Sequence, residues 1–120
     1  MSWDATLVDD RGHIDGDWNY THNCNGMIAE AMVASGLQMP EEAHPILPIG
    51  PAWWRHLDGL NGEQGRDFLA KVVVALEAAP ERYQAMNPKN GWGSYTTLLE
   101  TLRGMRDAVP DWPTKWHTSG

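Results

Sequence analysis

A chain of 120 residues with a formal net charge of −7 is expected to fold as a single globular domain spanning residues 1–120. Its nine lysines and arginines are scattered, which argues against binding along a nucleic-acid polymer and against binding an anionic membrane surface. Cys24 is the only cysteine, so an internal disulfide is excluded. Because no secretion signal or membrane-spanning apolar run is visible, we expect a cytoplasmic location.

The N-terminal residues predict a β-hairpin. Residues Ser2–Val8 alternate between apolar and polar side chains, which is typical of a strand with one buried face. Residues 9–12 have turn chemistry, and a return strand is expected over His13–Tyr20, with Gly16 marking a bulge. Residues 115–118 are a candidate third strand for the same sheet.

The rest of the chain is predicted to be mainly helical. Helical spacing and terminator residues predict five segments: from Asn23 or Asn25 to Ser35, a short turn from Pro51 to Leu57, Glu63–Ala78, Pro80–Asn87, and a last helix that begins at the cap Ser94 and ends before Pro110. Residues 37–50 contain three prolines and predict an extended surface loop. The expected fold class is therefore α+β, a small antiparallel sheet packed against three or four helices.

Two segments mix tryptophan with carboxamides, and each precedes a predicted helix. They are residues 17–25 and 87–93, which we call the Asn/Tyr segment and the Asn/Trp loop. Aromatic rings supply stacking area, carboxamides supply donors and acceptors, and free amides at a helix start attract anionic groups. If the two segments meet at neighbouring helix starts, they form a shared pocket. The predicted ligand-binding residues are Trp18, Asn19, Tyr20, Thr21, Asn23, Asn87, Asn90, Gly91 and Trp92.

A purely structural alternative stands beside each of these assignments. Trp18 and Tyr20 alternate along the return strand, so both side chains could belong to the core, with the asparagines serving only as helix caps. Asn90-Gly91 favours a tight turn, and Trp92 could fold back onto the protein.

Other chemistry-bearing residues give weaker signals. The aspartates between Asp9 and Asp17 surround His13, but their spacing does not match a calcium loop, so a solvated hairpin tip is favoured. His22 lies two residues from Cys24, which raises a thiol–imidazole nucleophile, although a small residue packed at a helix start is the simpler interpretation. No metal, cofactor or catalytic residue is therefore predicted.

Four tryptophans outside the two segments suggest a different surface. Adjacent Trp53 and Trp54 should not both face inward on a helix, so one is expected to be exposed. Together with Trp112 and Trp116, it could form a contact surface for a protein partner.

The two segments also carry a resemblance. Asn19-Tyr20-Thr21-His22-Asn23 followed by Met27, and Asn87-Pro88-Lys89-Asn90-Gly91-Trp92-Gly93, resemble paired motifs in a family of small proteins of tailed bacteriophages and actinobacteria. The resemblance implies a context, such as sequestration of a host defence signal by a phage protein, and no reaction.

Three functional hypotheses follow from the sequence. The first is a non-catalytic module that binds a small polar, nucleotide-like ligand between the Asn/Tyr segment and the Asn/Trp loop. The second is an inhibitor or adaptor that contacts a protein through exposed tryptophans and the acidic surface. The third is a small hydrolase using the acidic hairpin with His13 or His22. Whether the chain forms a homo-oligomer stays open at this point.

Overall fold

A computed structural model describes all 120 residues and has the expected α+β architecture. The strands are β1 (Ser2–Asp9), β2 (Ile14–Thr21) and β3 (Thr114–Ser119); the helices are α1 (Asn25–Ala34), α2 (Gly62–Ala78), α3 (Pro80–Gln84) and α4 (Tyr95–Asp107). Short 3-10 helices cover His22–Cys24 and Trp53–His56. No helix has the length and apolar character needed to cross a bilayer.

The three strands form one antiparallel sheet in the order β2-β1-β3, so the predicted third strand is confirmed. The alternation of β1 buries Trp3, Ala5 and Leu7 completely beneath the helices, whereas Asp4 faces solvent on the other side. Leu7 pairs with Gly16, but Val8 pairs with Ile14, which leaves one extra residue on β2. This irregularity is the bulge that Gly16 predicts.

Trp53 and Trp54 contradict the prediction that one of them is exposed, because both are buried. The segment is a 3-10 helix covered on both sides. The Trp53 ring meets Trp3 edge-on at 4.8 Å, while the Trp54 ring lies 5.1 Å from the His22 ring. Trp116 is also completely buried, and of the four tryptophans proposed as a partner surface only Trp112 is exposed.

The proline-rich segment, residues 37–52, forms a loop closed at its base. The Ala43 amide donates to the Gly50 carbonyl at 3.0 Å, and the Ala52 amide donates to the Glu41 carbonyl at 2.7 Å. The tip of the loop is solvent-exposed, as the sequence predicts, and its return arm runs back beside the start of α1.

Candidate functional site

The Asn/Tyr segment and the Asn/Trp loop lie side by side, as the sequence predicts. The Asn23 side-chain amide donates to the Trp92 carbonyl at 3.3 Å. The Tyr20 hydroxyl accepts a hydrogen bond from the Ser94 amide at 3.1 Å and lies 2.7 Å from the Thr97 hydroxyl. These bonds join the end of β2 to the start of α4 and fix the Asn/Trp loop between them.

Gly93 permits this close approach. Its φ of +89° belongs to the left-handed region that glycine adopts readily. A Cβ at this position would also lie only 2.8 Å from the Thr21 methyl group and 3.0 Å from the Tyr20 hydroxyl. Any larger residue would therefore push the Asn/Trp loop away from β2.

A hollow of about 700 Å³ opens beside this junction, and we call it the inter-loop pocket. Three stretches of the chain line it: Met1, Ser2 and residues 19–23; Leu47, Pro48 and Ile49; and Trp92. The Trp92 side chain is 70% exposed. This volume lies within the range of small-molecule sites.

Five of the nine predicted ligand-binding residues line the inter-loop pocket: Asn19, Tyr20, Thr21, Asn23 and Trp92. Trp18 does not. Its ring packs 5.6 Å from the buried Trp116 ring and covers Gly16, where a Cβ would overlap it. The structural alternative is therefore correct for Trp18, because its side chain lies on the helix-covered face of the sheet.

Asn87, Asn90 and Gly91 also lie outside the pocket lining and instead shape the Asn/Trp loop. The Asn87 carboxamide oxygen accepts from the Tyr95 amide at 2.7 Å, at the start of α4. The Asn90 carboxamide oxygen accepts from the Trp92 amide at 3.0 Å, and Gly91 has a φ of +77°. These residues hold Trp92 in place, so their contribution to a ligand site is indirect.

The predicted asparagine caps of α1 are replaced by a different arrangement. The Thr21 hydroxyl accepts from the Asn23 amide at 3.2 Å and caps the 3-10 helix that precedes α1. Asn25 is 1% exposed, and its carboxamide makes three long-range or buried contacts. Its NH₂ group donates to the Ile49 carbonyl at 2.8 Å and lies 2.9 Å from His22 Nδ1, while its oxygen accepts from Trp53 Nε1 at 3.2 Å.

Asn25 therefore ties the proline-rich segment to the Asn/Tyr segment, and sequence reasoning missed this role. Leu47, Pro48 and Ile49 were likewise missed as a pocket wall. The sequence offered one signal for Asn25, a carboxamide among apolar helix residues, but no local pattern identifies Ile49 as its partner.

His22 and Cys24 do not form the conceivable nucleophilic pair. The His22 Nδ1 atom contacts Asn25, whereas the Cys24 sulfur lies 3.8 Å from the Tyr20 hydroxyl. Burial raises the pKa of the Cys24 thiol and lowers the pKa of His22, so both groups are held in their neutral forms.

The hairpin tip is exposed over residues 10–14, whereas the Asp15 side chain is only 12% exposed and accepts from Trp112 Nε1 at 3.0 Å. One Asp9 oxygen accepts from the amides of Arg11 at 2.9 Å and His13 at 2.8 Å, which stabilises the turn. Ligand atoms of Asp9, His13 and Asp15 lie within 4.8 Å of one another, but His13 is exposed and Asp9 is already engaged by its own backbone.

Comparisons of the chain with protein-family models, with curated proteins and with solved structures found no match.

Proposed function

We propose that this protein is a non-catalytic module that binds a small polar ligand in the inter-loop pocket. The observation that carries the proposal is the Asn23–Trp92 contact, which joins two segments 69 residues apart. The pocket beside this contact combines an exposed indole with carboxamide and hydroxyl groups. Such a combination of one flat apolar surface and a few fixed polar atoms is typical of small-molecule sites.

Trp92 supports stacking as the main source of affinity. Its ring is exposed while its backbone is held on both sides, by Asn90 at the amide and by Asn23 at the carbonyl. An indole carried on a fixed backbone presents a large flat contact area at a defined position in the pocket, which favours stacking. Leu47 and Pro48 provide an apolar wall in the same pocket.

The polar groups favour binding over chemistry. Nucleophilic catalysis needs an activated nucleophile next to a base, and the contacts of Cys24 and His22 lead to different partners. The hydroxyl of Tyr20 is engaged with the start of α4. The pocket therefore offers positioned donors and acceptors and no paired reacting groups.

The resemblance to small phage and actinobacterial proteins is consistent with a sequestering role, in which the module removes a signalling molecule from solution. The alternative of a partner surface built on tryptophans has weaker support, because Trp53, Trp54 and Trp116 are buried.

A thermal-shift screen of nucleosides, nucleotides and sugars tests the proposal. A binding compound should raise the melting temperature of the wild-type protein, and Trp92→Ala should abolish that rise. Trp112→Ala is the matched control, because Trp112 is also exposed but lies outside the inter-loop pocket. If no compound raises the melting temperature, or if Trp112→Ala removes the effect as completely as Trp92→Ala, the proposal is wrong.

A further inference from the structure

The hydrogen-bond polarity of the inter-loop pocket follows from the contacts of Asn25. Ile49 presents a carbonyl, which only accepts, and Trp53 presents an indole N–H, which only donates. The orientation of the Asn25 carboxamide is therefore fixed, with its NH₂ group towards Ile49. The same NH₂ group faces His22 Nδ1, so Nδ1 must be the acceptor. A neutral His22 then carries its proton on Nε2.

The Nε2–H group of His22 belongs to a residue that is only 7% exposed. It has no hydrogen-bond partner in the protein, and it is not among the buried polar atoms sealed from solvent without a partner. His22 lines the inter-loop pocket, and its ring is held against Trp54. The pocket lining therefore includes an imidazole whose N–H donor has no partner within the fold.

Two acceptors are fixed by the same reasoning. The Asn19 NH₂ group donates to the Ser2 hydroxyl and to the Asp4 carboxylate, both at 2.8 Å. The Asn23 NH₂ group donates to the Trp92 carbonyl. A carboxylate and a carbonyl only accept, so neither carboxamide is free to flip. Each carboxamide therefore has an oxygen that accepts nothing from the protein, on a residue that lines the pocket.

The side chains that line the inter-loop pocket include no lysine, arginine, aspartate or glutamate. Burial lowers the pKa of His22, which favours its neutral form. A doubly charged phosphate would therefore find no cationic side chain in the pocket lining. The first turn offers little to an anion either, because the Thr21 hydroxyl already accepts the Asn23 amide hydrogen.

We propose that the ligand is an uncharged, planar heterocycle of the nucleobase or nucleoside class, bound against Trp92 with a ring or carbonyl acceptor at His22 Nε2–H and amino or imino donors at the Asn19 and Asn23 oxygens. This inference rests on the proposed function and narrows its ligand. It departs from the nucleotide expected from the sequence, because the phosphate is disfavoured.

Isothermal titration calorimetry with adenosine, guanosine, cytidine and uridine, each beside its 5′-monophosphate, tests the inference. We expect at least one nucleoside to bind, and its monophosphate to bind at least about tenfold more weakly, a difference that corresponds to about 1.4 kcal/mol. Asn19→Ala removes an acceptor at an exposed position and should weaken nucleoside binding about tenfold. His22→Phe keeps an aromatic ring beside Trp54, removes the Nε2–H donor and should weaken it similarly.

The outcomes separate this inference from the proposed function. Tighter binding of a monophosphate than of its nucleoside would overturn the inference and leave the binding function standing, as would binding of a sugar alone that depends on Trp92. Unchanged nucleoside affinity in a folded Asn19→Ala variant would also overturn it, even if His22→Phe fails to fold. If no nucleoside, monophosphate or sugar binds, both this inference and the proposed function are wrong.

Discussion

Replacement of Asn25 by alanine is expected to destabilise the protein far more than replacement of its neighbour Asn23. Asn25→Ala removes the partner of Trp53 Nε1, of the Ile49 carbonyl and of His22 Nδ1 in one step. Trp53 is completely buried, so water cannot replace its lost acceptor.

The magnitude follows from the exposure of each orphaned group. A buried polar group left without a partner costs about 1–3 kcal/mol. Trp53 should bear this penalty in full, while His22 and Ile49 should bear part of it, since both line the open inter-loop pocket. We therefore expect a loss of about 3–5 kcal/mol, a large fraction of the stability of a typical domain. Asn23→Ala breaks one exposed contact and should cost less than about 1 kcal/mol.

Urea denaturation followed by tryptophan fluorescence measures both free energies of unfolding. Circular dichroism confirms that each variant is folded before the titration. If Asn25→Ala costs no more than Asn23→Ala, the Asn25 contacts are not the link between the proline-rich segment and the Asn/Tyr segment. The proton of a neutral His22 would then not be fixed on Nε2 by Asn25.

Three further predictions concern the same framework. Tyr20→Phe leaves the amide of Ser94, the N-cap of α4, without its acceptor. The free energy of unfolding measured by urea denaturation should fall by about 1–3 kcal/mol, and no loss would mean that water replaces the hydroxyl. Burial lowers the pKa of His22 in the folded state below its ordinary 6.5. As pH falls, the unfolded state therefore takes up a proton before the folded state does, and the free energy of unfolding should decrease as pH drops through about 6.5. His22→Phe should flatten that pH dependence in thermal melts, and an equal slope in both proteins would contradict it. Gly65→Ala should destabilise by about 1–3 kcal/mol because its Cβ would overlap the buried Trp116 ring. Gly104→Ala should be neutral or stabilise by up to about 1 kcal/mol, because its Cβ would meet only Trp18 Nε1, at the ordinary contact distance of 3.9 Å. Equal effects of the two glycine changes on the melting temperature would refute the packing argument.

Local periodicity was sufficient for the elements that depend on it. The alternation of β1 and the helical spacing of α2 and α4 identified these elements, and the glycine-marked bulge followed from backbone chemistry. Periodicity mispredicts Trp53 and Trp54, because the rule that neighbouring residues occupy different helix faces does not decide burial in a 3-10 segment enclosed from both sides.

The sequence predicts the part of the candidate site that lies within the Asn/Tyr segment and the Asn/Trp loop, because their residue types indicate both a turn or helix start and polar or aromatic contacts. The meeting of residues around Asn23 and Trp92 was expected, and the side chains of Asn19, Tyr20 and Thr21 do line the pocket. The wall at Leu47–Ile49 was not expected, because it depends on a single carboxamide reaching across 24 positions of the chain. No spacing rule contains information of that kind.

In the proline-rich segment, the residues that line the inter-loop pocket are separate from the bonds that close the loop. Its base is closed by backbone hydrogen bonds that do not depend on side-chain identity, and Leu47 and Pro48 are exposed rather than part of the core. Substitutions at these two positions should therefore change the shape of the inter-loop pocket while leaving the fold intact. Under the proposed function, selection or design for a different ligand would act there first, with Trp92 and the carboxamides kept constant.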